Sequence, residues 1–244
     1  MRAFGQVLRT EAVLFLREPS AILVVVGLPL VLLLGLGAIP ALREPSPDFG
    51  GQTFIAYFAP SLLVMTLAVT GLTALPVSLA TYRERGILRR MATTPVSPAA
   101  LLVAQLLVVL ASIVVSAVLV VVVARIAFGV PLPQRPLGFA VAFLLGTAAL
   151  LALGLLVAAV APTSKAAQGF AVPLFMLTMF LGGVYVPRFL LPDFLNRVGE
   201  YAPPGVQALL DAWTGTSPDP LPLAIMAVVA VMAGTAAARL FRWE

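Results

Sequence analysis

The chain predicts an all-α integral membrane protein with six transmembrane helices, and three observations carry that reading. Hydrophobic residues make up 61% of the 244 residues and charged residues only 10%, where soluble domains carry about 25% charged. The mean hydropathy is +1.08. The apolar residues form continuous runs near the ~20 residues that cross a bilayer as a helix, without the short alternating strands of a membrane barrel.

Residues 2–18 come first. Phe4, Val7, Leu8, Glu11 and Phe15 fall on one helical stripe that only Glu11 interrupts, which predicts a helix lying in the membrane interface. A frayed start to the first span is the plainer alternative. A cleaved signal peptide is not expected, because the apolar run after Arg17 is too long and lacks a small-residue cleavage site. Pro19 and Ser20 mark the bend into the membrane.

Spans are expected at 21–39, 54–80, 101–124, 137–161, 166–186 and 221–238. The first is a loose helix with Gly27, Pro29, Gly35 and Gly37, and the second is long enough to tilt. Gly146 and Gly154 mark a face of span four for close helix contact. Thr66, Thr70 and Thr73 of span two, and Gln105, Ser112 and Ser116 of span three, form polar stripes that should face other helices. With Met176, Met179 and Phe180 of span five they are candidate substrate-path residues. Between spans five and six, residues 188–213 read as two short amphipathic helices on or in the outer membrane face, separated by Tyr201-Ala202-Pro203-Pro204-Gly205.

Six spans put both termini on one side. That side, with residues 82–98 and Lys165, carries ten Lys+Arg against four acids; the other carries five against six. A balance of +6 against −1 places the termini in the cytoplasm of a cell inner membrane by the positive-inside rule. The basic charge therefore reports topology and does not point to nucleic acid.

Several chemistries are excluded or disfavoured. The chain has no Cys and no His, which removes disulfides, thiolates, the commonest general base and the commonest metal ligand. No catalytic and no metal site is expected. The single lysine, Lys165, follows Ala161-Pro162-Thr163-Ser164, so there is no phosphate-binding loop and no ATPase site. The Ser164-Lys165 pair reads as helix capping and orientation. No span carries an ionisable residue near its centre, which argues against a proton- or sodium-coupled carrier.

The segment Tyr82–Pro98 holds four of the fifteen Lys+Arg. A charged turn, Arg83-Glu84-Arg85-Gly86, leads into Ile87, Leu88 and Met91 on one side and Arg89 and Arg90 on the other, closed by Thr93, Thr94, Pro95, Ser97 and Pro98. A short amphipathic helix fixed between two spans can pass a rigid-body shift to both. A topology signal alone would not need Gly86 or the apolar face.

Here a resemblance becomes specific. E-R-G-I-L-R-R-M-A-T-T-P-V-S at 84–97 resembles the loop of ABC-2 type permeases, the membrane subunits of ATP-binding-cassette exporters, although Ile87 stands where the family often has Thr. G-G-V-Y-V-P-R-F-L-L-P-D-F-L at 182–195, followed by Tyr201-Ala202-Pro203-Pro204, resembles the family's run after span five. The resemblance covers essentially the whole chain. It implies that residues 82–91 are a coupling helix docking on a separate nucleotide-binding subunit, through Tyr82, Arg83, Glu84, Arg85, Gly86, Leu88, Arg89, Arg90 and Met91, with Arg9, Arg17 and Glu18 of the N-terminal helix beside them. It implies that Pro187, Phe189, Pro192, Phe194, Pro203 and Pro204 shape external or re-entrant helices. ATP and Mg would be bound by the partner subunit, and the permease would work as a homo- or heterodimer in the bilayer. The substrates of such efflux systems include drugs, antibiotics, lipids and glycans. A membrane scaffold or assembly factor of the same fold, and an ion-coupled carrier, are the alternatives.

Overall fold

A computed structural model describes residues 2–49, 51–87, 98–187 and 190–241. Among these residues the chain is helical throughout, with no strand and one isolated bridge between Pro45 and Thr53. Helix α1 is Arg2–Leu16. The six spans are α2 (Pro19–Gly37), α3 (Phe54–Glu84), α4 (Pro98–Phe128), α5 (Pro136–Val160), α6 (Ser164–Leu181) and α9 (Pro220–Leu240). Two short helices, α7 (Asp193–Tyr201) and α8 (Val206–Thr214), precede the last span. Six helices long and apolar enough to cross a membrane make this a multi-pass membrane protein.

Span α3 is the axis of the bundle. It touches α2, α4, α5 and α6, and 78% of its apolar window is buried, against 22–44% for the other five spans. Its 31 residues extend about 46 Å at ~1.5 Å per residue, well beyond the ~30 Å hydrocarbon core. The helix runs on to Glu84, so Tyr82, Arg83 and Glu84 form its last turn. Gly86, at φ +65°, then ends it in the left-handed conformation that favours glycine.

Proline sets the irregular stretches of α2 and α3. A π-helical turn, Leu23–Gly27, precedes Pro29, and another, Val69–Ala74, precedes Pro76. Each proline withholds the N–H that the carbonyl four residues earlier would accept in an α-helix. For Val25 a neighbour supplies the replacement: the Ser116 hydroxyl of α4 donates to its carbonyl at 2.8 Å. Span α6 stops at Leu181, short of the expected 186, because Gly182 and Gly183 turn the chain, the latter at φ +72°.

Small residues bring α5 against its neighbours, as the sequence led us to expect of Gly146 and Gly154. A Cβ on Gly154 would lie 1.9 Å from the Gly71 carbonyl oxygen in the π-helical turn of α3, and one on Gly146 would lie 2.4 Å from the Pro204 carbonyl. The most extensive helix pairing, α5 with α9, likewise brings small residues together, with Gly234 of α9 beside the Ala152 side chain of α5. Without a hydrophobic drive between helices in lipid, this close backbone approach is what packs the spans.

Candidate functional site

Three consecutive residues at the end of α3 each reach a different part of the bundle. Tyr82 turns to α1, where its hydroxyl donates to Glu11 Oε2 at 3.1 Å. Arg83 turns to the end of α5, where its guanidinium donates to the Ala158 carbonyl and, at 2.7 Å, to that of Ala161. The same guanidinium lies 5.7 Å from the ring centre of Phe241, just past α9. Glu84 turns to the start of α6, where it accepts from the Ser164 backbone N–H at 2.9 Å and from the Ser164 hydroxyl at 2.8 Å.

Two of these contacts match a side-chain charge to a helix end. The last carbonyls of α5 lack intrahelical donors and carry the negative end of the helix dipole, and Arg83 brings a cation to them. The first N–H groups of α6 carry the positive end, and Glu84 brings a carboxylate. Thr163 completes that cap by accepting from Ala166 N–H at 3.1 Å. The one acid on the apolar stripe of α1 is also the most buried of that helix's described side chains, with Glu11 only 8% exposed. Burial pushes its carboxyl up from the ordinary value, and the Tyr82 hydrogen bond draws it part of the way back.

The end of α3 thus ties together α1, α5, α6 and the end of α9. Arg85 is exposed, as are Arg9, Arg17 and Glu18 of the N-terminal segment, and Gly86 is partly buried. Leu88, Arg89, Arg90 and Met91 lie outside the described residues.

The candidate substrate-path residues mostly face the interior of the chain. Thr66 and Thr70 are buried and donate to the carbonyls of Leu62 and Thr66, and Thr73 donates to that of Val69. Gln105 donates to Ser78 Oγ at 2.7 Å, Ser112 to the Val109 carbonyl at 2.7 Å and Ser116 to Val25. Met179 is fully buried and Phe180 partly so. Of the nine, Met176 alone is exposed, at 47%.

At the opposite end, the Pro203-Pro204 turn seats Pro204 against Gly146 of α5. Helix α8 follows, with Trp213 packed edge-on to Phe139 of α5 at 5.7 Å. Its last carbonyls are satisfied by backbone donors: Gln134 N–H gives to Trp213 O at 3.2 Å and Arg135 N–H to Ala212 O at 3.0 Å. Phe194 is exposed on α7, Pro192 is exposed before it, and Pro187 is partly buried. Phe189 lies outside the described residues.

Sequence reasoning placed Tyr82, Arg83 and Glu84 in one functional segment but did not find their partners. Glu11 was the available signal, as an acid interrupting an otherwise apolar stripe. The Ala158 and Ala161 carbonyls and the ring of Phe241 gave none.

No metal-binding cluster of acidic residues occurs among the described residues. No curated protein and no solved structure matches the chain. The sequence matches the ABC-2 type transporter family over residues 2–204, from α1 to the turn that seats Pro204. The chain belongs to the ABC-2 type transporter family and is the membrane component of such a transporter, without an ATPase site of its own.

Proposed function

We propose that this chain is the permease subunit of an exporter, driven by ATP hydrolysed on a separate nucleotide-binding subunit that docks at residues 82–91. The observation that carries the reading is the convergence of α1, α5, α6 and the end of α9 on Tyr82, Arg83 and Glu84. A push delivered just after Glu84 reaches four elements through direct contacts. The exposed Arg85, Arg9, Arg17 and Glu18 offer charge-assisted contacts to the partner, and Arg89 and Arg90 extend the basic surface in sequence. The cytoplasmic placement of this end, and of both termini, follows from the charge split. The cargo is hydrophobic or amphipathic, consistent with a pathway built beside apolar spans, and the permease acts as a dimer.

The experiment is co-purification. The chain is expressed with a candidate P-loop ATPase subunit from the same genome, and Arg85→Ala/Arg89→Ala/Arg90→Ala is compared with the unaltered chain. We expect the ATPase to be retained by the unaltered chain and lost from the variant, while the variant still inserts in the membrane. Losing one partner of a desolvated charged contact costs about 2–5 kcal/mol, roughly 30-fold or more in affinity. Equal retention would remove this segment as the docking surface.

A further inference from the structure

Between α4 and α5, toward the end that carries residues 128–136, lies a slot of about 360 Å³ lined only by apolar residues, Val114, Val118 and Val122 on one wall and Phe139, Ala140 and Leu144 on the other. A second cavity is lined by Gln134, Arg135 and Pro136 among others, residues that follow Pro133 of the slot in sequence. We infer that the slot binds an anionic glycerophospholipid, with one acyl chain lying between α4 and α5 and the phosphate group held by Arg125 and Arg135.

Three features carry this. The first is shape and chemistry. The slot has no polar lining, so water gains nothing there and a hydrocarbon chain does. The second is register. Val114, Val118, Val121 and Arg125 recur at helical spacing on one face of α4. From Val114 to Arg125 the helix rises about 17 Å, close to the ~15 Å depth of one leaflet's hydrocarbon. An acyl chain that fills the slot therefore brings its phosphate to the level of Arg125. The third is charge. Arg125 is exposed at the end of one wall and Arg135 stands at the start of the other. Arg135 Nε donates to the Gly215 carbonyl at 2.8 Å, which fixes its guanidinium near the start of α5 and uses one of its five donors. No acid lines either cavity. Arginines at 125 and 135, one following the first wall and one preceding the second along the chain, favour a headgroup that adds no positive charge of its own.

The molecule contains a reporter for the test. Trp213 packs on Phe139, which lines the slot, and Trp243 is the only other tryptophan. The full chain carrying Trp243→Phe is reconstituted in vesicles that contain either acyl-brominated phosphatidylglycerol or acyl-brominated phosphatidylcholine at equal mole fraction. Bromine quenches tryptophan only at short range. We expect phosphatidylglycerol to quench Trp213 more strongly, with a preference in relative affinity of about tenfold. Arg125→Gln should reduce that preference, and Arg125→Gln/Arg135→Gln should bring the two lipids to parity. Ala140→Phe, at an exposed slot position, should lower quenching by both. Unchanged Trp213 emission in unbrominated vesicles verifies that each variant is folded. Equal quenching by both lipids in the unaltered chain overturns the site. So does a preference that survives loss of both arginines, or quenching that Ala140→Phe leaves untouched.

Discussion

The end of the bundle at Tyr82–Glu84 and the end at Pro204 are closed by different means. At the first, helices are joined by polar side chains: a tyrosine on a glutamate, an arginine on two carbonyls, a glutamate on a helix N-terminus. At the second, close packing and backbone hydrogen bonds carry more of the joining: the Pro204 carbonyl sits in the notch at Gly146, Trp213 lies on Phe139, and backbone donors of 134 and 135 meet the end of α8, beside the Arg135 side chain on the Gly215 carbonyl. Polar pairs at a helix end can exchange partners at a cost of one or two kcal/mol each, in round terms. A glycine notch has no second arrangement, because any displacement opens a void or a clash. On the proposed function, the polar end is where motion enters, while the packed end keeps its shape.

Perturbing the packed interior should cause the largest effect. Gly154→Ala places a methyl 1.9 Å from the Gly71 carbonyl oxygen, a backbone atom that cannot turn aside. We expect a loss of at least about 3 kcal/mol, seen as loss of monodisperse, helical protein in detergent. A variant with unchanged thermal stability would mean that α3 and α5 are not in contact at this point.

Perturbing the polar end should cost less and leave the fold intact. Arg83→Gln removes the cation from the end of α5, for about 1.5–3 kcal/mol. The expected result is a lower unfolding temperature with native helicity, and a loss smaller than that of Gly154→Ala.

The Glu11–Tyr82 pair gives a smaller, pH-dependent effect. Burial raises the folded carboxyl above its unfolded value, so the native state binds the proton at higher pH. Stability is then greatest below the ordinary carboxylate range and falls as pH rises through the raised value. Glu11→Gln should flatten that slope. Tyr82→Phe should steepen it, because the hydroxyl that lowers the value is gone. Thermal unfolding across the acid range reads both variants, and identical slopes would show that the pair does not titrate with folding.

Gly35→Ala should have the smallest effect. Nothing lies within 4 Å of the added methyl, and the change should fall within about ±0.5 kcal/mol for that reason. Its contrast with Gly154→Ala separates glycines that let helices meet from those that do not.

The six spans were legible because hydropathy is a property of composition along the chain, and composition alone fixes which stretches leave water. The close face of α5 was legible because Gly146 and Gly154 stand eight residues apart on one helical side. The tertiary partners were not. Tyr82 and Glu11 are 71 positions apart, and Arg83 and Ala161 78; periodicity within a helix does not say which helices are neighbours. The threonine stripe of α3 was visible as a stripe, but not that its hydroxyls are spent on carbonyls one turn back. Proline positions were plain in the sequence, yet nothing in it said that Ser116 of α4 would answer the Val25 carbonyl that Pro29 leaves without its donor.

The central claim is that the partner's motion enters through the end of α3. The direct measurement is the distance between spin labels at two exposed positions of the polar end, Gly5→Cys on α1 and Lys165→Cys on α6, in a chain that has no native cysteine to interfere. The labelled chain is held in nanodiscs with its ATPase subunit, with and without ATP. The account predicts a nucleotide-dependent change in distance that disappears in Arg83→Gln/Glu84→Gln while the ATPase subunit remains bound. A change of the same size in that variant would contradict it.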